Sequence, residues 1–319
     1  MISQFIENLT CAANFYGNQL KSSPRAIAYL KQRGISGSAA ARYKLGYAPT
    51  GAQSLRNIFN NYEADSLINC GLVVCNTDHH LYDRFRNRII FPITDSDGDV
   101  IGFGGRVIDS NGPKYLNSPE TELFHKGNVL FGLWQATASI RETKTVFVVE
   151  GYLDVVSLAQ HGIQNVVATL GTATTENHIK ILLSLTKNII FCFDGDEAGR
   201  RAANHALDVC LEFITDSSIT ISFLFLPDNH DPDSYVRANN AAAFHLLAKN
   251  AVSLEKAFLL FAMNDISLEH AEGRANLIYR TTPRLQRLQE PTLRNRLVID
   301  IAAYAQITID ELMNLSSLK

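Results

Sequence analysis

The feature that most constrains this chain lies between Val146 and Asp233, where four short apolar runs alternate with helical patterns. Val146-Phe147-Val148-Val149 is short enough for a strand buried on both faces, and Glu150-Gly151 closes it. The second run, Asn165 to Leu170, ends in Gly171-Thr172. The third, Asn188 to Phe193, ends in Asp194-Gly195-Asp196, and Glu197-Ala198-Gly199-Arg200 opens the next helix. The fourth, Ile219 to Leu226, runs through Pro227 to Asp231-Pro232-Asp233. Such alternation predicts a parallel sheet with right-handed crossovers. Chemistry in these sheets gathers beyond the carboxyl ends of the strands, which is where the acids fall.

Glu150, Asp154, Asp194, Asp196, Asp231 and Asp233 are therefore expected to converge on one rim. Clustered carboxylates raise one another's pKa and cannot all stay ionised without a counter-charge. A divalent cation supplies that charge, and an all-oxygen donor set favours Mg²⁺ or Mn²⁺ over zinc. Taken singly, Asp194-Gly195 is also an ordinary turn signal. Its companions at successive strand ends argue for a shared site.

Val149-Glu150-Gly151-Tyr152-Leu153-Asp154, then Phe193-Asp194-Gly195-Asp196-Glu197-Ala198-Gly199, then Asp231-Pro232-Asp233 resemble the three signatures of a TOPRIM domain. That module is shared by bacterial primases, type IA and type II topoisomerases, and some nucleases and recombination proteins.

At 319 residues the chain is long enough for two or three subdomains. The net charge of −3 gives no global sign of nucleic-acid binding, although a basic face can stand opposite an acidic pocket. No charge-flanked apolar segment opens the chain and no run reaches membrane-spanning length, so a cytoplasmic protein without membrane contact is expected. The five cysteines, Cys11, Cys70, Cys75, Cys192 and Cys210, form no C-x-x-C pair, which predicts a reduced protein without zinc. Cys192 lies inside a buried-strand pattern and reads as a core residue.

Residues 1–45 read as helical, with Phe5, Leu9, Ala12, Ala13 and Tyr16 at helix spacing and a second helix from Pro24 to Arg33 before Gly34. A further helical stretch leads to Leu72. From Tyr82 to Arg106 the pattern is β, with a turn at Asp95-Ser96-Asp97-Gly98-Asp99. That turn fails the register of a calcium loop and reads as a solvated hairpin. Gly102-Phe103-Gly104-Gly105-Arg106 matches no dinucleotide fingerprint; its glycines point to close backbone approach. Arg84, Arg86 and Arg88 alternate, so on a strand they share a face. Arg106, Lys114 and Lys126 follow, interleaved with Tyr115, Asn117 and Phe124. Cations with aromatics and amides suit a phosphate-and-base channel, although a solvated charged face is the ordinary alternative.

Tyr82 to Arg88, Gly102 to Arg106, Pro113 to Thr121, Tyr29 to Gly34 and Phe124 to Gly127 resemble the catalytic core of DnaG-type bacterial replicative primase. The resemblance covers nearly the whole chain. It implies that the six acids hold divalent metals, more than one ion, with Glu150, Asp194 and Asp196 catalytic. It also implies that Arg33, Arg106, Lys114, Tyr115, Asn117 and Lys126 line a groove for template and nucleotide phosphates, to which Arg84 and Arg86 are added. The expected reaction is metal-assisted synthesis of RNA primers from ribonucleoside triphosphates on single-stranded DNA, within the nucleoid-associated replication machinery. The replicative helicase and single-strand-binding protein are the family's partners, but the family's zinc ribbon and helicase-binding domain are not expected here. Glu150 is left as base or ligand.

The architecture expected is α/β: an N-terminal α+β basic subdomain over 1–143, a TOPRIM domain over 144–234 and a helical subdomain over 235–319. In the last, Ala257, Leu260, Leu277, Leu285, Leu288 and Leu293 read as core, Tyr279 and Tyr304 as packing residues. Arg274, Arg280, Arg284, Arg287, Arg294 and Arg296 read as solvent-facing. A TOPRIM nuclease or topoisomerase, or a non-catalytic nucleic-acid-binding module, would share the acids; cleavage of supercoiled DNA and incorporation of labelled ribonucleotides separate these readings.

Overall fold

The structure, a computed structural model, describes residues 2–109 and 112–315. The chain opens with helices α1 (Ile2–Lys21), α2 (Pro24–Gln32) and α3 (Gly37–Arg42). Helix α2 begins where Ser23 accepts the Ala26 N–H and Pro24 takes the first turn, and it stops at Gly34, whose φ is +74°. Strand β1 (Gly46–Ala48) follows. The helical stretch expected before Leu72 is two short pieces, a 3₁₀ turn at Ser54–Asn57 and α4 (Asp65–Asn69). Strands β2 (Val73–Cys75) and β3 (Leu81–Asp83) form a separate ribbon. Strands β4 (Arg88–Thr94), β5 (Val100–Val107) and β6 (Tyr115–Asn117) complete an antiparallel sheet in the order β1-β4-β5-β6. The β4–β5 turn is the hairpin expected, with Asp95 Oδ1 accepting the N–H groups of Asp97 and Asp99 at 3.0 Å.

One expectation fails here. Tyr82 to Arg88 is not a continuous strand: β3 ends at Asp83, and Asn87 has φ +53°. The three arginines therefore share no face. Arg84 turns inward and donates to the Asn117 carbonyl at 2.7 and 3.0 Å, while Arg86 stays exposed over the Tyr82 ring. Arg88 is buried against the Gly105 and Pro113 carbonyls.

Helix α5 (Leu133–Thr143) leads into the parallel sheet, whose elements run β7 (Val146–Val149), α6 (Tyr152–Gln160), β8 (Val166–Ala168), α7 (Glu176–Leu185), β9 (Asn188–Phe193), α8 (Glu197–Cys210) and β10 (Thr220–Phe225). Helices α9 (Pro232–Asn239) and α10 (Ala241–Ala248) precede β11 (Val252–Ser253), which pairs antiparallel with β10. The order is β11-β10-β9-β7-β8, with the three parallel pairings of β7 to β10 as the apolar runs predict. Alternation along β7 sends Phe147 and Val149 into one core and Val146 and Val148 into another. The first core includes Leu30, Ile89, Phe91, Tyr152 and Cys192, so the N-terminal helices and antiparallel sheet pack on that face.

The second core includes Phe191, Phe193 and Phe223 and continues into α11 (Leu254–Ala262), α12 (Ala271–Arg287), α13 (Pro291–Ala305) and α14 (Ile309–Leu315). Leu277, Leu285 and Leu288 are buried there as expected. Leu260 is not; it is 47% exposed, and Tyr279 and Tyr304 are also exposed rather than packed. These residues have the right spacing but lie on the outer side of their helices, whose opposite sides carry the buried residues of the second core. The arginines are also less free than expected. Arg284 donates to Asp208 and Asn204 at 2.7 Å, Arg287 to Glu212 at 2.7 Å, and Arg296 to Glu255 at 3.0 Å.

Candidate active site

The carboxyl ends of β7, β9 and β10 open onto a cleft of about 310 Å³. Glu150, Asp154, Asp194 and Asp231 line it on the side of the parallel sheet. Arg33, Arg106, Lys114, Tyr115 and Asn117 line it on the side of the N-terminal helices and antiparallel sheet. Nine side chains named from the sequence, drawn from segments as far apart as Arg33 and Asp231, thus share one opening, Asn117 among them at the sheet junction.

Local sequence explains how the acids are held. Gly195 lies so close to the chain leaving β10 that a Cβ would sit 2.5 Å from the Leu226 carbonyl oxygen. Asp196 is the N-cap of α8 and accepts the Gly199 N–H at 2.8 Å. Asp231 is the N-cap of α9, accepting the Ser234 N–H at 2.7 Å while Ser234 reaches back to the Asp231 N–H. The acids at these strand ends therefore also start the helices that follow.

Electrostatics bear the mark of the crowding. Although Glu150 is exposed as a residue, desolvation followed by Asp194 and Asp196 lifts its carboxyl to about 7. Burial, then Asp231 and Asp196, lifts Asp194 to about 6, with Lys114 pulling the other way. Asp154 is raised by burial and by Asp231. Burial also acts upward on Asp231, but the Ser234 hydrogen bonds, Arg33 and Arg237 outweigh it and leave its pKa below the ordinary range. Asp231 is thus the acid that holds its charge first and presses on its neighbours.

The donors facing the cleft are carboxylates, with no thiolate or imidazole among its lining residues. Among the described residues no three acidic, histidine or cysteine side chains are already drawn into a cage for one ion. Oxygen donors on an open rim fit a hard cation that keeps waters and takes substrate oxygens to complete its shell.

The expectation of six converging acids is met in part. Asp196 is exposed and near enough to raise Glu150 and Asp194, but it is not among the lining residues. Asp233 is 1% exposed and turned into ion pairs with Arg33 and Arg237, both at 2.8 Å. Lys126 is partly buried in a 3₁₀ turn outside the lining, and Arg84 and Arg86 also lie outside it.

The opposite wall is built on Asn117 and two tyrosines that the sequence reading did not assign. Tyr152 donates to Asn117 Oδ1 at 2.8 Å, and Asn117 donates through Nδ2 to the Leu170 carbonyl at 2.6 Å, tying β6 to the end of β8. Arg106 bonds the Tyr115 hydroxyl and lies 5.1 Å from the Tyr115 ring centroid and 6.0 Å from that of Tyr29. Tyr152 carried a signal, since it follows Glu150-Gly151 directly. Tyr29 opens the Tyr29–Gly34 stretch that carries the resemblance, but nothing in its spacing pointed to Arg106.

Carboxylates at the strand ends of a βα sheet, facing a cationic wall, define a Toprim protein. The model of the family described as Toprim-like matches residues 147–236, and that of the DNA primase catalytic core, N-terminal domain, matches residues 15–137. The crystal structure of a DNA primase domain from Pseudomonas aeruginosa superposes with a TM-score of 0.92 at 42% identity, covering 98% of this chain and 99% of that one. A DnaG primase catalytic domain bound to ssDNA gives 0.87 at 42% identity over 94% of this chain and 98% of that one. The DNA primase of Neisseria meningitidis serogroup A is 46% identical over 304 residues, 95% of this chain and 51% of its own length. The chain spans about half the length of the curated relatives it matches. It belongs to the family of DnaG primase catalytic cores, whose Toprim domains are generally metal-dependent. Among the described residues no helix is long and apolar enough to cross a membrane.

Proposed function

We propose that this chain synthesises short RNA primers on single-stranded DNA, joining ribonucleoside triphosphates by nucleotidyl transfer. The observation that carries the reading is the single cleft in which Glu150, Asp154, Asp194 and Asp231 face Arg33, Arg106 and Lys114. Glu150, Asp194 and Asp231 hold Mg²⁺ or Mn²⁺, more than one ion, with Asp196 and Asp154 in support. A bound divalent ion supplies charge compensation at the pyrophosphate leaving group and acidifies the attacking 3′-hydroxyl. Glu150, near 7, is suited either to ligate or to accept that hydroxyl's proton. Arg33 and Lys114 take the triphosphate, Arg106 the template backbone, and Tyr115 offers a ring to a base. Lys126 and Arg86 extend the cationic path outside the cleft, while Arg84 is committed to the Asn117 carbonyl.

Template contact falls to residues 1–143, metal chemistry to 144–234 and support to 235–319. The replicative helicase and single-strand-binding protein are the partners this reading assigns, at the replication machinery of the nucleoid. The family match on both sides of the cleft favours this over a nuclease or topoisomerase, and over a binding module without chemistry. The Asp194→Ala variant is expected to lose primer synthesis in either metal while keeping its melting temperature, because removing an acid with a raised pKa removes a cost to folding at neutral pH. Retained incorporation of labelled ribonucleotides by that variant would sink the assignment.

A further inference from the structure

Asp233 differs from its neighbours in what already occupies its oxygens. Its Oδ1 accepts Arg237 Nε at 2.8 Å, and its Oδ2 accepts Arg33 Nη2 at 2.8 Å and Arg237 Nη2 at 3.3 Å. A metal ion ligated there would have to displace a guanidinium and stand beside the other. Asp231, two residues away, lines the cleft, whereas Asp233 does not. Asp233 instead donates its backbone N–H to Asp154 Oδ1 at 3.2 Å, fixing an acid that does face the cleft.

Arg33 is the member with capacity to spare. It enters from the end of α2, lines the cleft and has a buried Nε with no hydrogen-bond partner. Arg237 is held differently: its side chain lies over Gly34, where a Cβ would come within 2.9 Å of Arg237 Cδ. We infer that Asp233 is an anchor rather than a metal ligand, and that Arg237 is the positioning residue that keeps Arg33 available for a nucleotide phosphate. The inference rests on the reading of the cleft as a nucleotide site. Arg237 occupies one carboxylate oxygen fully and shares the other, so Arg33 is tethered by a single nitrogen. Without Arg237, Asp233 can take the Arg33 guanidinium by both oxygens in a fork, drawing it out of the cleft.

Two equilibrium measurements on the full chain test this, and neither needs primer synthesis. Failure to make primers would thus count against the proposed function and leave this inference readable. Mn²⁺ binding without nucleotide, followed by electron paramagnetic resonance, should change by less than about threefold in Asp233→Asn, since no ligand is lost. A larger loss overturns the anchor assignment. Binding of fluorescently labelled GTP should weaken roughly five- to tenfold in Arg237→Gln, with Mn²⁺ affinity held. The double variant Arg237→Gln/Asp233→Asn should recover most of that loss, because the competing carboxylate is gone. A double variant no better than Arg237→Gln makes Arg237 merely structural. Arg237→Lys, which can cover one oxygen but not both, should fall between the parent and Arg237→Gln, and reads the same competition if Asp233→Asn does not fold.

Discussion

The carboxylates of the cleft are tuned by one another, and this sets a pH dependence. Glu150 at about 7 and Asp194 at about 6 lie above their ordinary values, so both hold protons that a metal ion must displace. Mn²⁺ affinity is therefore expected to rise by on the order of tenfold between pH 5.5 and 7.5, with proton release, and Glu150→Gln should flatten the upper part of that rise. Calorimetric titration in buffers of different ionisation enthalpy checks both. The same shifts act on metal-free stability with the opposite sense. A carboxyl whose folded pKa is raised favours the fold most below its unfolded value, and the contribution is lost as pH climbs through 6 to 7. The acids were legible in the sequence because each sits in a contiguous strand-end motif. Arg84 and Arg88 were not, because their partners are carbonyls of Asn117, Gly105 and Pro113, set by pairings with no local signature.

At the scale of elements, the cleft depends on how closely β5 approaches α6. A Cβ at Gly104 would overlap the ring of Tyr152, the residue that braces Asn117 and stacks on Phe91 at a centroid distance of 5.0 Å. Gly104→Ala is therefore expected to cost about 1–3 kcal/mol by overpacking, read as a lowered denaturant midpoint. Its damage should also reach the site, because Tyr152 follows Glu150-Gly151 without slack. The glycines of Gly102 to Arg106 signal close approach, and at Gly104 the residue approached is Tyr152. The parallel strands were equally legible, since apolar runs ending in acids announce themselves. The antiparallel partner β11 was not: Val252–Ser253 is too short to stand out, and only its pairing with β10 makes it a strand.

For the whole molecule, the parallel sheet separates two kinds of work. One face packs on the elements that carry the cationic wall, while the other shares a core with α8 and α11 that continues into α12, α13 and α14, and no residue of α11 to α14 lines the cleft. Helical spacing predicts a bundle there but does not tell its inner side from its outer one, and Leu260 and Tyr279 fall on the outer. The arginines supply the missing orientation. Arg284, on α12, has a side chain only 14% exposed, with its guanidinium on Asp208 and Asn204 of α8 and 5.9 Å from the Phe258 ring. Helix α8 is the helix that Asp196 caps, so this polar clamp ties the helical block to the element that starts at the acidic rim. Arg284→Ala leaves Asp208 unpaired where water reaches it only in part, and about 1–3 kcal/mol of stability should go with it. Because the α8 N-cap bonds lie at the opposite end of a 14-residue helix, the loss should show in the melting temperature and not in the KM for nucleotide. A rise in KM at an unchanged melting temperature would mean that the helical block reaches the cleft through α8, and the division of labour between the two faces of the sheet would have to be redrawn.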